Sequence, residues 1–338
     1  MMKSFWPSLC GLSLLMSTSW LQADTLDAVK KRGYLKCGVS QGLAGFSSPD
    51  KAGQWRGIDV DLCRGVAAAA LGDAKKVKYT SLSAKERFTA LQSGEIDLLS
   101  RNTSWTIVRD SSLAVDFPGV LYYDGQGFMV PKKLNVKTLK DLNGATVCVN
   151  LGTTTELNLA DYFRSQKMTY KLVAFEKNDE VVAAYDAGRC DVMSSDQSGL
   201  YADRTRLKKP DDHVILPELI SKEPLGPAVR HGDNRWADIV RWTLYAMVEA
   251  EELKLSSANV TQQKTSNNPA VRRLLGFEGD IGKNLGLKPD WALQVITQVG
   301  NYAEIFERNL GMNTPLRIAR GQNAIWREGG LQYAMPFR

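Results

Sequence analysis

Strand-like and helix-like segments alternate along much of the chain, and this alternation constrains the fold more than any other feature of the sequence. Short apolar runs such as residues 34–39 and 96–99 are typical of strands, whereas residues 58–71 are typical of a helix that ends at a glycine. The connections between these segments are short. Strands that alternate with helices over short connections predict a parallel, doubly wound sheet. We therefore expect an α/β fold.

The alternation breaks once and then resumes. A strand-like link with a terminal proline occupies residues 124–131, and a second series of strands and helices covers residues 145–193. The chain leaves this second series through another proline-flanked strand at residues 222–230. With 338 residues, the chain is long enough for two domains of about 150 residues each. The sequence predicts two α/β units that are joined by two crossings.

The C-terminal part of the chain has a different pattern. Apolar residues at helical spacing predict helices after residue 233, including a long one over residues 289–309. Residues 321–338 are rich in aromatic side chains but have no regular spacing. We assign no function to this C-terminal extension from its sequence.

The N-terminus has the pattern of a secretory signal peptide. Lys3 supplies a positive charge, residues 5–21 are mostly apolar, and Ala23 places a small side chain at the expected cleavage position. A membrane-spanning helix needs about 20 apolar residues, whereas this run is interrupted by Pro7 and several serines. The sequence predicts that residues 1–23 are a signal peptide.

Charge and cysteine content exclude several functional classes. The net charge is +6, but no run of five or six basic residues occurs, so a nucleic-acid partner is not expected. Export would leave four cysteines, which suggest disulfides and allow three pairings. They are Cys37, Cys63, Cys148 and Cys190. With two histidines and no Cys-x-x-Cys spacing, neither a metal site nor a cofactor is expected.

Three polar segments follow predicted strands and carry the parts of a zwitterion site. Residues 102–109 include an arginine, residues 152–156 join a glycine to three threonines, and residues 190–196 end in an aspartate. The planar fork of Arg109 suits a carboxylate, and the start of a helix offers free backbone N–H groups. Asp196 could accept from an ammonium. In open parallel sheets, ligands bind beyond the carboxyl ends of the strands, which is where all three segments fall.

Each of these groups also has a simpler interpretation. Arg109 could form a surface salt bridge, and Asp196 and residues 153–155 could cap the helices that they begin. The prediction of a site therefore depends on their coincidence at one edge of two linked units. Residues 152–156 lack the lysine and glycine spacing of a phosphate-binding loop, so nucleotide binding is not expected.

Several segments together resemble the type II periplasmic binding proteins, the amino-acid-binding components of ABC importers. The resemblance covers residues 33–230, and over nearly its full length the chain is most similar to the general L-amino-acid-binding members of that family. The segments that carry the resemblance are residues 32–39, 57–62, 116–118, 127–131, 139–144 and 152–156.

The resemblance implies a two-lobed α/β fold in which each lobe is a parallel-type sheet flanked by helices. Two hinge crossovers, at residues 125–130 and 225–229, would join the lobes. Lobe 1 would be discontinuous, comprising residues 24–127 and 222–338 with the C-terminal extension, and lobe 2 would comprise residues 131–220.

The resemblance also implies a ligand-binding set. Its members are Asn102, Ser104, Arg109, Thr154, Thr155 and Asp196. Arg109 and Ser104 would hold the ligand α-carboxylate, and Asp196 would take the α-ammonium with Asn102 nearby. Thr154 and Thr155 would contribute from the second lobe.

The side-chain pocket implied by the resemblance departs from that of specific binders. Relatives that bind cationic amino acids have aromatic residues where this chain has Leu43 and Ala84, and an acidic residue where it has Ser40. Trp105 could supply apolar lining, although a core position is an equal alternative. We therefore expect broad specificity for L-amino acids.

The two-lobed arrangement selects one disulfide pairing. Cys37–Cys63 and Cys148–Cys190 each join residues within one lobe, whereas the other pairings would tie the lobes together and impede closure. We expect these two disulfides.

The expected function is capture of L-amino acids in the periplasm and their delivery to the permease subunits of an ABC transporter in the inner membrane. The expected state is a monomer that closes about its hinge strands. The alternative is an exported enzyme on the same fold, such as a dehydratase of an aromatic precursor acid, because fold alone does not settle function. It would need a general acid or base in the cleft, for which Glu156 and Asp196 are the candidates. A glutamate that opens a helix usually complements the helix dipole, so the sequence favours transport.

Overall fold

The computed structural model describes residues 24–338, so the predicted signal peptide, residues 1–23, lies outside the described residues. The chain begins with a series of short strands and helices. The strands of this series are β1 (Leu35–Val39), β2 (Ser48–Pro49), β3 (Trp55–Arg56), β4 (Val77–Ser81), β5 (Leu98–Leu99), β6 (Val115–Asp116) and β7 (Tyr122–Asp124). The helices are α1 (Thr25–Arg32), α2 (Ile58–Leu71), α3 (Arg87–Gln92) and α4 (Ile107–Ser112).

A second series builds the larger sheet and returns to the first. Its strands are β8 (Gln126–Pro131), β9 (Thr146–Asn150), β10 (Lys171–Phe175), β11 (Val192–Asp196), β12 (His213–Ile215), β13 (Glu223–Leu225) and β14 (Val229–Arg230). Its helices are α5 (Thr154–Ser165), α6 (Asn178–Asp186) and α7 (Gln197–Arg204). The C-terminal part is helical. It contains α8 (Asn234–Glu252), α9 (Pro269–Leu274), α10 (Ile281–Asn284), α11 (Trp291–Gln298) and α12 (Tyr302–Asn309).

Each lobe is built on its own sheet. In the first, β1 lies between β4 and β5 and is parallel to both. In the second, the strand order is β10-β9-β11-β8-β12, and β9, β10 and β11 are mutually parallel. The predicted two-lobed α/β fold class is thus confirmed. No helix among residues 24–338 is long and apolar enough to cross a membrane.

The link predicted at residues 124–131 contains a full strand of the second sheet. β8 lies between β11 and β12 and is antiparallel to both. Its residues are buried except the last. Neighbouring strands flank β8, α5 packs on one face of it, and α6 and α7 pack on the other. An apolar run that is buried on both faces has no alternating pattern, which is why residues 126–131 do not stand out as a sheet strand.

The single helix predicted over residues 289–309 is wrong in one respect, because it is two helices. Gly300 interrupts it with a φ of +100°, a backbone conformation that favours glycine. Asn301 then caps α12: its side chain accepts from the backbone N–H of Glu304, and the Glu304 carboxylate accepts from the backbone N–H of Asn301, both at 2.8 Å. This reciprocal capping box starts a new helix at a defined residue.

The four cysteines lie in the two pairs that the lobes predict. Cys37 is joined to Cys63 and Cys148 to Cys190, with Cα atoms 6.3 Å and 5.7 Å apart. Cys37 of β1 is bridged to α2, and Cys148 of β9 is bridged to the residue two positions before β11. Each bridge therefore joins two segments of one lobe, and neither joins the two lobes. A bridge that closes a loop of tens of residues contributes about 3–4 kcal/mol of stability on the chain-entropy model.

The chain crosses between the lobes beside a pair of short strands. β7 and β13 are antiparallel, and Asp124 lies opposite Glu223. Tyr123 lies opposite Pro224 in a pair that exchanges no backbone hydrogen bonds, so the backbone groups of Tyr123 face away from β13. They would form an unpaired sheet edge if nothing covered them.

The C-terminal tail, residues 311–338, covers this edge. Asn323 accepts from the backbone N–H of Tyr123 (2.7 Å) and donates to its carbonyl (3.0 Å), as a third strand would. Gln332 reaches the adjacent carbonyl of Leu121, which also accepts from the Tyr302 hydroxyl. The tail is therefore packed against the strand that leads into the first crossing.

We expect Asn323→Ala to destabilise the protein. The substitution leaves both backbone groups of the half-buried Tyr123 without partners, and a buried group without a partner costs about 1–3 kcal/mol. Urea unfolding should show a loss of about 2–4 kcal/mol in the free energy of unfolding. Asn313→Ala, at an exposed position of the same tail, is the matched control and should change stability by less than about 0.5 kcal/mol. Equal stability of the two variants would show that the tail does not support the crossing strand.

Candidate ligand-binding cleft

The two sheets direct their carboxyl ends into one cleft. From the first lobe, residues that follow β1 and β5 line it; from the second lobe, residues that follow β9 and β11 and the start of α6 line it. The lining residues are Ser40, Gln41, Gly42, Leu43, Arg87, Arg101, Asn102, Ser104, Arg109, Asn150, Thr153, Thr154, Thr155, Asn178, Asp179, Val181, Met193, Ser194, Ser195, Asp196 and Asp203. All six members of the predicted ligand-binding set are among them.

Arg109 enters the cleft from the first turn of α4. The Thr106 hydroxyl caps this helix by accepting from the backbone N–H of Arg109 (3.3 Å), which fixes the start of the helix. The guanidinium donates from Nη1 to the carbonyl of Ser104 (2.8 Å) and lies 5.4 Å from the ring centroid of Phe88. The residue is 8% exposed, and no carboxylate of residues 24–338 lies within 4 Å of it. Arg109 is not a surface salt-bridge residue.

Asp196 enters from the opposite lobe at the end of β11. It precedes α7, but its carboxylate accepts no hydrogen bond from the backbone of that helix. Burial raises the pKa of Asp196 well above its usual value, and the carboxylates of Asp124 and Glu223 raise this pKa further. A hydrogen bond with Asn102 and the charge of Arg87 oppose the shift. No cation of residues 24–338 forms a direct ion pair with this carboxylate, so the charge of Arg87 offsets the effect of burial only in part.

The first-lobe loop that carries Asn102 is held in an unusual conformation. Asn102 has a φ of +28°, in the left-handed region that asparagine tolerates better than most residues. Its backbone N–H donates to Asp59 (2.9 Å), which also accepts from Ser100 (3.0 Å). Burial raises the pKa of Asp59 to about 6. This carboxylate anchors the loop that presents the polar groups of the first lobe.

The threonines of the second lobe line the cleft at the start of α5. Thr153 precedes the helix without capping it through its side chain, and its hydroxyl donates to the carbonyl of Asn150 (2.7 Å). The hydroxyl of Thr154 donates to Glu223 (2.9 Å) and lies 3.4 Å from that of Ser104. The first turn of α5 thus faces the first lobe across the cleft.

The predicted pocket lining is only partly brought into the cleft. Ser40 and Leu43 line it, but Ala84 is buried outside the lining set. Trp105 lies outside it too: the ring stacks on Phe117 with centroids 5.8 Å apart, and the residue is 39% exposed. The Trp105 side chain does not line the cleft, because it packs on Phe117, which follows β6 in the same lobe. Glu156, which the enzyme alternative requires, is also absent from the lining residues.

The structure adds two arginines that sequence reasoning missed. Arg87, 2% exposed, donates to Thr103 Oγ1 (3.3 Å) and, across the cleft, to the carbonyl of Gly152 (3.2 Å). Arg101, 7% exposed, donates from Nε to the carbonyl of Leu82 (3.1 Å). Burial lowers the pKa of Arg101 to about 10. A sequence signal existed for Arg101, because it directly precedes the polar segment 102–109, but Arg87 lies in an ordinary helical pattern.

Glu223 is a further buried group that the sequence did not single out. Its carboxylate accepts from Thr154 (2.9 Å), Asn158 (2.7 Å) and Ser221 (2.7 Å). It lies at the second crossing and so connects that crossing to α5. Among residues 24–338, no group of three or more histidine, cysteine or acidic side chains could hold a metal ion.

The chain is similar to known solute-binding proteins over most of its length. A family model described as bacterial extracellular solute-binding proteins, family 3, matches residues 35–259. The general L-amino acid-binding periplasmic protein AapJ of Rhizobium johnstonii is 60% identical over 96% of each chain. The glutamate/glutamine/aspartate/asparagine-binding protein BztA of Rhodobacter capsulatus is 55% identical over 94% of each. An ABC transporter periplasmic binding protein from Brucella ovis, solved with glutathione bound, has a TM-score of 0.92 at 59% identity and covers 94% of this chain and 100% of its own.

Proposed function

The chain belongs to the bacterial extracellular solute-binding proteins, family 3, and from this premise we propose that it captures a broad range of L-amino acids in the periplasm for an ABC importer. Its relatives at 55–60% identity are named as amino-acid-binding proteins, one of them as a putative amino-acid ABC transporter-binding protein. The permease subunits of the importer are its proposed partners, and a monomer is its proposed state. Residues 1–23 would direct its export.

One arrangement carries the proposal. A buried guanidinium, Arg109, and a buried carboxylate, Asp196, face the same cleft from different lobes, and neither has an ion-pair partner within the lobes. Burying a charge without a partner is costly. A zwitterion would supply the missing partner to both groups, with its α-carboxylate on Arg109 and its α-ammonium on Asp196. Ser104, Asn102 and the first turn of α5 would add hydrogen bonds.

We propose that residues 24–125 and 222–338 form lobe 1 and that residues 126–220 form lobe 2. The boundary predicted at residues 127–131 moves to residue 125 because β8 begins at Gln126 and belongs to the second sheet. The lobes would move about the crossings beside β7 and β13. Asp124 and Glu223 mark these crossings. Binding would draw the lobes together, since the two ends of one ligand are held by different lobes. Inside the closed cleft, water screens the charges less and each electrostatic contact is stronger.

The relatives do not favour catalysis, and a binding role needs no general acid or base. Asp196 is the one acid of the enzyme alternative that lines the cleft, and the proposal assigns it to the ligand ammonium. The relative that holds glutathione favours a second ligand class, γ-glutamyl peptides. Glutathione carries the same α-carboxylate and α-ammonium groups as an amino acid, so it could use the same two charged contacts.

Titration of refolded, ligand-free protein with the standard L-amino acids should detect several ligands with different side chains. Leu43 and Ser40 supply neither charge nor an aromatic wall, and such a pocket discriminates by only about 1–3 kcal/mol per group. Calorimetry should therefore give measurable affinities for polar, acidic and aliphatic amino acids. The matched D-amino acids are the control and should bind far more weakly. Binding of a single amino acid would contradict broad specificity.

Affinity for these ligands should fall as the pH is lowered. The ligand ammonium favours ionised Asp196, so the pKa of this carboxyl is lower in the complex than in the free protein, where burial raises it. Affinity is thus greatest at a pH above the pKa of Asp196 in the free protein, and it declines as the pH falls through that pKa. The decline begins at a pH well above 3.8, the usual pKa of aspartate, because burial raises the pKa of Asp196. Burial also raises the pKa values of Asp59 and Asp124 to about 6, so both carboxyls gain protons within the pH range of the experiment. Calorimetry from pH 8 to pH 5 should show a steeper decline for the wild type than for Asp196→Asn; parallel curves would exclude this role for Asp196.

A further inference from the structure

The cleft contains more cationic groups than one α-carboxylate can use. Arg87, Arg101 and Arg109 are all more than nine-tenths buried. Every hydrogen bond that they donate within residues 24–338 goes to a neutral oxygen, not to a carboxylate. Buried arginines are usually paired with an anion. One carboxylate fills one guanidinium fork, so the zwitterion proposed above leaves positive charge without a close partner.

The three arginines differ in which of their guanidinium nitrogens already have hydrogen-bond partners. Arg87 is engaged through both terminal nitrogens, one with Thr103 and one with Gly152 of the other lobe, so it joins the lobes. Arg109 is the proposed partner of the α-carboxylate. Arg101 is engaged through Nε with Leu82, and its Nη1 reaches Asn102 Oδ1 only at 3.5 Å. No partner for Arg101 Nη2 is found in the part of the chain that the structure describes.

The electrostatic surroundings keep Arg101 available as a cation. The nearest opposing charges are Asp59 and Asp196, which favour its protonated form from beyond ion-pair distance. Asp59 is occupied by Ser100 and the backbone of Asn102, and Asp196 is the proposed ammonium partner. The Arg101 side chain is held at Nε by the Leu82 carbonyl, so its terminal end is positioned in the cleft before any ligand binds. A positioned guanidinium loses less entropy on binding than a mobile one.

We propose that Arg101 forms a subsite for a second carboxylate, at the far end of an L-amino acid whose α-groups are held by Arg109 and Asp196. This inference rests on the proposed function and adds a ranking of the ligands by affinity. Ligands that end in a carboxylate bind more tightly than neutral ones of similar size, within a broad range of ligands. The side-chain carboxylates of glutamate and aspartate and the glycyl carboxylate of glutathione share this chemistry.

The ranking can be tested on the wild-type protein by calorimetric titration with L-glutamate, L-glutamine, L-leucine and glutathione. We expect glutamate to bind at least tenfold more tightly than glutamine, which has the same length but no second charge. If glutathione also binds tightly and its glycyl monoethyl ester, in which that carboxylate is blocked, does not, the peptide carboxylate is the source. Equal affinities for glutamate, glutamine and leucine would overturn the inference and leave the proposed function intact. Failure of every amino acid to bind would reject the proposed function itself.

Arg101→Gln tests the assignment to this side chain. The ratio of glutamate to leucine affinity should fall at least tenfold relative to the wild type. Arg56→Gln is the matched control, because Arg56 is exposed and pairs with Asp50 outside the cleft; its ratio should equal that of the wild type. An unchanged ratio in Arg101→Gln would overturn the inference. So would an equal loss for both ligands, since that result would place Arg101 at the α-carboxylate. If Arg101→Gln does not fold, as judged by thermal melting, the comparison of glutamate with glutamine on the wild type decides.

Discussion

Arg109→Ala is expected to abolish useful binding of every amino acid tested. The ligand α-carboxylate would be removed from water on closure without a guanidinium to receive it, and the loss of one partner of a buried charge pair costs about 3–5 kcal/mol. That loss corresponds to about two to four decades in affinity. Calorimetric titration with the amino acids that bind the wild type would measure it.

Two further variants sharpen this prediction. Arg109→Lys keeps the charge but removes the planar fork, so we expect an intermediate loss, because lysine cannot bind a carboxylate bidentately. Arg164→Ala removes an exposed arginine on α5 that pairs with Asp161, and its affinity should match the wild type. A loss below tenfold in Arg109→Ala would mean that the α-carboxylate is held elsewhere, with Arg87 and Arg101 as the remaining cations of the cleft.

Asp196→Asn is expected to weaken binding and also to leave the protein open. The substitution keeps the shape of the side chain but removes the charge that faces the ligand ammonium. Truncating one partner of a buried charged pair costs about 2–5 kcal/mol. Small-angle scattering with and without a saturating amino acid should show compaction of the wild type and little compaction of the variant at the same ligand concentration.

The control for Asp196→Asn is Asp161→Asn, at an exposed position of the same lobe, which should bind and compact like the wild type. A ligand without the ammonium, such as the 2-oxo acid that corresponds to a tight-binding amino acid, should reproduce the defect of Asp196→Asn on the wild-type protein. If Asp196→Asn binds and compacts normally, the ammonium is held by other groups, and Asp179 and Asp203 are the other carboxylates that line the cleft.

The described conformation already has contacts across the cleft. Arg87 donates to Gly152, the hydroxyls of Ser104 and Thr154 lie 3.4 Å apart, and Lys85 pairs with Glu176 at 3.8 Å. The Glu223 carboxylate also accepts from Thr154 and Asn158 of the other lobe. None of these contacts is a buried ion pair, so each contributes less than one would. A ligand can shift the lobes toward closure only through its greater affinity for the closed form. The charged contacts of Arg109 and Asp196 would provide that difference, since one ligand touches both only when the lobes are together.

Much of the fold follows from local sequence pattern. Apolar periodicity and the glycines that end helices are local signals, so they identify the strands and helices from the sequence. The alternation of these elements then predicted the parallel arrangement of β1 with β4 and of β9 with β10 and β11. Two features could not be predicted from local pattern. β8 has no alternating pattern because it is covered on both faces, and the break between α11 and α12 depends on a backbone turn at Gly300 and a cap formed by Asn301.

Some residues of the candidate site could likewise be predicted from local pattern, and others could not. Arg109, Thr154 and Asp196 could be predicted because each lies in a polar segment at the end of a predicted strand, and the carboxyl ends of parallel strands meet at one edge of a sheet. Their roles toward a ligand stay predictions. Arg87, Glu223 and the displacement of Trp105 onto Phe117 could not be predicted, because they arise where segments distant in sequence pack together. The sequence by itself determined which groups stand at the ends of the strands, since that depends on local order along the chain. Only the tertiary structure decided which of them face a common cleft and which lack a partner, because burial and ion pairing are set by contacts between lobes.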